Sequence, residues 1–178
     1  MAGGLRKFTL LLGGTRSGKS AYALALASSY PATARRAFLA TAQALDDEMS
    51  ERIARHRKSR PAEFVTIEEP LALGETIVSL GANADLLVID SLTLWVSNLI
   101  GRDMADDAIL RRAEELADAI AQAPFATIVV SDEVGLGIVP DNPLARRFRD
   151  LLGAVNQVIA RAAENVLMMV AGYPIKVK

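Results

Sequence analysis

The stretch that decides the fold is "FTLLLGGTRSGKSAYALALASS", residues 8–29. It opens with an apolar run of strand length, Phe8 to Leu12, and ends in the alanine- and leucine-rich "KSAYALALASS", which has strong helix propensity. Between them "GGTRSGKS" (Gly13, Gly14, Thr15, Arg16, Ser17, Gly18, Lys19, Ser20) is a full G-x-x-x-x-G-K-[ST] match, placed between strand and helix as the motif requires. Glycines let backbone N–H groups turn inward around a phosphate chain, and the new helix directs its positive end at the same anion. Lys19 then reaches the β and γ phosphates and Ser20 can ligate Mg²⁺, so a nucleoside triphosphate with magnesium is the natural ligand.

Outward from this unit, strands alternate with helical patterns. "AFLATA" (37–42), "ADLLVIDS" (84–91), "ATIVVSD" (126–132) and "VLMMVAG" (166–172) read as strands, the last three apolar enough for burial on both faces. Helical patterns cover about 46–59, 71–80, 91–101, 104–123 and 143–164, with longer loops expected near 60–70 and 132–143. This alternation predicts an α/β fold with a mostly parallel central sheet and helices on both faces. No Pro/Gly/Ser-rich linker interrupts the 178 residues, so 1–178 is expected to be a single domain.

A formal net charge of −1 gives no global field for nucleic acid or an anionic membrane, and 5% aromatic residues leave little for base stacking. Without cysteine there is no disulfide framework, thiolate metal site or cysteine nucleophile. The run Phe8 to Leu12 is too short for a signal segment or a membrane span, so no membrane insertion and a cytoplasmic location are expected.

Two further features carry chemistry. Asp90 ends the strand "LLVID", where a carboxylate either holds magnesium or its water opposite Ser20, or caps the helix that begins at Ser91. His56, the only histidine, lies in "ARHRKSRP" among Arg55, Arg57, Lys58 and Arg60. At helical spacing it shares a face with Met49 and Ile53. That placement suits a core-edge histidine, a solvated basic helix end, or a functional group. On the functional reading the cations gather polyphosphate, keep the imidazole neutral, and let its ring nitrogen attack the α phosphate of a nucleotide.

Several stretches together resemble a known family, the bifunctional adenosylcobinamide kinase / adenosylcobinamide-phosphate guanylyltransferases of cobalamin biosynthesis. They are "GGTRSGKS" (13–20), "FLATAQALDDEMSERIARHRKSRP" (38–61), "VIDSLTLWVSNL" (88–99), "VSDEVGLGIVPDNPLARRFRDLLGAVNQ" (130–157) and the terminal "IKVK". The resemblance implies a P-loop NTPase fold of the RecA-like branch, assembled as a homotrimer. It also implies phosphorylation of adenosylcobinamide by ATP or GTP, then transfer of GMP from GTP onto adenosylcobinamide phosphate through a guanylylated histidine, at the place of His56. Further nucleotide contacts are implied at Ala40, Thr41, Ala42, Arg57, Lys58, Ser59, Arg60, Glu68 and Asp90, with Ser20 and Asp90 toward Mg²⁺.

The chain departs from that pattern at Asp132, where many relatives have Asn, and at Tyr173 and Pro174, where smaller residues are usual. "SDEVGLGIVP" reads either as a ligand-binding loop at a strand's carboxyl end or as a plain connection, and Glu133 there is a candidate base for the kinase step. Two other functions fit a phosphate loop: a kinase without nucleotidyl transfer, and a nucleotide-dependent switch or binding module.

Overall fold

A computed structural model describes residues 8–178, apart from the side chains of Arg52 and Ser59. The strands are β1 (Phe8–Gly13), β2 (Arg36–Ala40), β3 (Phe64–Glu68), β4 (Leu86–Asp90), β5 (Ala126–Val130), β6 (Asn165–Val170) and β7 (Tyr173–Lys176). The α-helices are α1 (Lys19–Ser28), α2 (Asp47–Ser59), α3 (Leu73–Leu80), α4 (Leu92–Ile100), α5 (Asp106–Gln122) and α6 (Pro143–Ala162). The strands form one sheet in the order β3-β2-β4-β5-β1-β6-β7, parallel throughout except for the antiparallel β6–β7 pair.

Side chains alternate across this sheet as the pleat requires. Leu10, Leu39, Leu87, Ile89 and Val129 face a core shared with α3, α4, α5 and α6. Leu11, Phe38, Leu86, Val88, Ile128 and Val130 face the opposite core, closed by Ala23 and Ala27 of α1. Small alanines on α1 let that helix lie close under the strands. The expected α/β architecture with helices on both faces is therefore the one adopted. Helix α2 stands apart: among its described side chains only Met49 and Ile53 are half-buried, and the rest are exposed.

Two strands lie where the sequence predicts none. β3 falls in the expected loop 60–70, as an edge strand with Val65 69% exposed, so its apolar signal is weak. β7 has every residue exposed and contains Pro174, a residue tolerated on sheet edges. The strand expected at 166–172 ends at Val170, because Ala171 and Gly172 both take positive φ (49° and 88°) and turn the chain into the hairpin.

Candidate active site

The carboxyl ends of the parallel strands meet the phosphate loop at one edge of the sheet. Gly13 adopts φ 154°, and a Cβ there would come within 2.7 Å of the Met169 carbonyl oxygen, so the loop leaves β1 along a path only glycine follows. Gly18, at φ 97°, opens α1 and lies against Gly172 of the β6–β7 turn, whose N–H donates to the Ser17 carbonyl at 2.9 Å. Lys19 is buried, and its ammonium donates to the carbonyls of Gly13 (2.9 Å) and Gly14 (2.7 Å) and pairs with Asp132 Oδ1 at 2.6 Å.

Ser20 Oγ donates to Asp90 Oδ2 at 2.7 Å, joining the first turn of α1 to the end of β4. The capping alternative for Asp90 is replaced: Ser91 is the N-cap of α4, accepting from the Leu94 N–H. Burial raises the Asp90 pKa above its ordinary value, and nearby Asp132 adds to the rise. The Ser20 hydrogen bond and the charges of His56 and Lys19 oppose it. A desolvated carboxylate beside a hydroxyl is a hard-oxygen pair that gains from a small divalent cation, so Ser20 and Asp90 fit Mg²⁺ completed by phosphate and water oxygens.

Helix α2 begins with Asp46 accepting from the Met49 N–H at 2.7 Å and carries acidic residues in its first turn and basic ones in its last, as its dipole favours. Its inner face puts Met49, Ile53 and His56 on a cavity of about 720 Å³, which the phosphate loop, Ala40, Ala42, Glu68, Asp90 and Asp132 also line. His56 is exposed, so the face it shares with Met49 and Ile53 borders this cavity and not the core.

The cations around it are less one-signed than the sequence suggests. Arg57 pairs with Glu68, Arg55 lies 3.7 Å from Glu51, and Arg60 sits 3.6 Å over the Phe38 ring while donating to Thr66 Oγ1 at 2.5 Å. Carboxylates on α2 and β3 therefore balance part of the positive charge on this side of the cavity.

Of the other residues singled out in the sequence, Thr15, Arg16, Ser17, Gly18, Arg57 and Arg60 line the cavity, while Gly13 and Gly14 shape the loop beneath it. Thr41 does not face it. It is fully buried, its hydroxyl donates to the Ser91 carbonyl and accepts from the Ser91 N–H, both at 2.8 Å, and its own carbonyl accepts from Asn98. The side chain expected to touch nucleotide thus stitches β2 to α4. Lys58 is exposed and away from the cavity lining, and the Ser59 side chain lies outside the described residues. Glu133 turns its carboxylate to the Gly135 N–H at 2.8 Å, within its own loop. The carboxylate beside Lys19 belongs to Asp132 instead. An acidic residue just past a buried apolar strand, the pattern that singled out Asp90, was also present there.

A parallel sheet whose first strand runs through a glycine loop into a helix, with a carboxylate from another strand bonded to the loop serine, defines a phosphate-loop nucleotide-binding protein. The chain belongs to the cobinamide kinase / cobinamide phosphate guanyltransferase family, whose model matches residues 9–177, and has the two transferase activities that description names. It is 43% identical over 171 residues to the bifunctional adenosylcobalamin biosynthesis protein CobP of Pseudomonas aeruginosa, covering 95% of this chain and 96% of that protein. It is 39% and 38% identical over 181 residues to the bifunctional adenosylcobalamin biosynthesis proteins CobU of Salmonella typhimurium and Escherichia coli, covering 95% of this chain and 98% of each.

Proposed function

We propose that one domain spanning residues 1–178 carries out both transfers at the cavity shared by the phosphate loop and His56. The observation that supports this is the convergence of Lys19, Ser20, Asp90 and His56 on one cavity. In the kinase step, Lys19 and the loop N–H groups hold the triphosphate of ATP or GTP. The adenosylcobinamide hydroxyl attacks the γ phosphorus and loses its proton, the bond to the β-phosphate oxygen breaks, and nucleoside diphosphate leaves. Bound Mg²⁺, held by Ser20 and Asp90, would neutralise charge on the phosphate oxygens.

In the second step GTP presents its α phosphate to His56. The ring-nitrogen lone pair forms a P–N bond, the bond to the β-phosphate oxygen breaks, and pyrophosphate departs. A phosphate oxygen of adenosylcobinamide phosphate then attacks the same phosphorus, the P–N bond breaks, and its electron pair returns to the ring. Arg57 and Arg60 are placed on the cavity to neutralise the phosphates of the leaving group, and Ala40 and Ala42 leave room for nucleotide beside β2.

The sequence resemblance supports a cytoplasmic homotrimer as the working form. Among the described residues no helix is long and apolar enough to cross a membrane.

The test is intact-mass spectrometry after incubation with GTP and Mg²⁺, with one added GMP expected on an acid-labile, base-stable bond. His56→Asn removes the adduct and still phosphorylates adenosylcobinamide. An adduct that survives His56→Asn would refute the nucleophile.

A further inference from the structure

The Lys19 ammonium has three N–H groups, and three oxygens take them: the carbonyls of Gly13 and Gly14 and Oδ1 of Asp132. The first two belong to the loop itself. The third is a full negative charge from the end of β5, held where a phosphate oxygen would meet the same ammonium.

This carboxylate is fixed from its backbone. The Asp132 N–H donates to Thr93 Oγ1 of α4 at 2.9 Å, and its carbonyl accepts from Asn156 Nδ2 of α6 at 3.0 Å. Asn156 is in turn fixed by the Ser131 hydroxyl, which donates to its Oδ1 at 2.6 Å with both residues buried. A short aspartate on a clamped backbone loses little freedom in forming its ion pair, unlike a pair of long surface side chains.

Resting on the reading of the loop as a polyphosphate site, we propose that Asp132 is an internal stand-in for phosphate. It competes with the polyphosphate for Lys19, weakens nucleotide binding, and speeds departure of the nucleoside diphosphate and pyrophosphate products by taking the ammonium back. The negative charge is the active element, because an amide of the same shape can accept from Lys19 without repelling phosphate.

The experiment measures binding of ADP and of AMP, each with Mg²⁺, to the full chain and to Asp132→Asn and Asp132→Ala, by calorimetry and stopped-flow displacement. Both variants should bind ADP roughly tenfold more tightly, mostly through slower dissociation, because interface charges of this kind change affinity by such factors. AMP, which carries no β phosphate to reach Lys19, should bind the three proteins alike. Equal or weaker ADP binding by folded Asp132→Asn and Asp132→Ala, with the unsubstituted chain binding ADP normally, overturns the stand-in role alone. An equal gain for AMP and ADP also overturns it, since that would be a general reshaping of the site. If the unsubstituted chain bound neither nucleotide, the polyphosphate site itself would be refuted, and this role with it.

Discussion

Replacing Asp90 by asparagine should make the protein more stable while removing part of its function. The carboxyl is held above its ordinary pKa chiefly by burial, so ionising it costs the fold more than it costs the unfolded chain, and the Ser20 hydrogen bond and nearby positive charge offset that only in part. Asparagine keeps an oxygen for the Ser20 hydroxyl, 2.7 Å away, and removes the charge. Changes that relieve such functional-site costs give about 1 kcal/mol. For a domain of this length that is a rise in Tm of about 2–4 °C. The sign follows from linkage. A raised folded pKa favours the fold fully below the ordinary carboxyl value of 3.8, and the advantage is lost as pH rises through the raised value. The gap between Asp90→Asn and the unsubstituted chain should therefore be widest near pH 7 and close as the solution is acidified. Calorimetric melts from pH 7 down to about 4, without nucleotide or Mg²⁺, measure it. A variant that melts lower at pH 7, or a gap that does not narrow with acid, would refute the reasoning. With Mg·ATP added, the unsubstituted chain should gain stability and the variant much less.

Gly18→Ala should cost about 1–3 kcal/mol, because it forces a side chain into a left-handed backbone setting, and should cripple nucleotide binding. The new Cβ would lie 3.1 Å from Gly172 Cα, so urea melts and ADP titration should both report the damage. At Asp85, the side-chain and backbone hydrogen bonds from Arg35 lower the pKa to about 2. The stability it adds is present above the ordinary value of 3.8 and fades as pH falls toward about 2. Asp85→Asn should flatten that part of the pH–stability curve in urea melts and leave the neutral-pH kinase rate unchanged.

The core of the fold was legible because it rests on long, buried signals: the apolar runs of β1, β4, β5 and β6 and the full phosphate-loop motif. The edges were not: β7 is exposed along its length, and β3 fully buries only Phe64 and owes its place to β2, on the far side of α2 in sequence. The site divides the same way. Gly13 to Ser20 and Asp90 follow from local motif and strand position. The burial of Thr41 against Ser91 and the pairing of Lys19 with Asp132 depend on which strand ends lie side by side. Strand order β2-β4-β5-β1 supplies that information, and no single segment contains it.

The hairpin turn at Ala171 and Gly172, braced against Ser17 and Gly18, has a consequence for biosynthesis. β1 leaves the ribosome first among the strands, yet its two partners are β5 and β6, and its loop rests on the turn that follows β6. The phosphate loop is therefore translated before every strand of this sheet but β1, and it gains its final neighbours only with β6 and the turn after it. A nascent chain stalled before β6 carries the full motif without its cradle, so nucleotide cannot assist folding until β6 and the turn after it have been made.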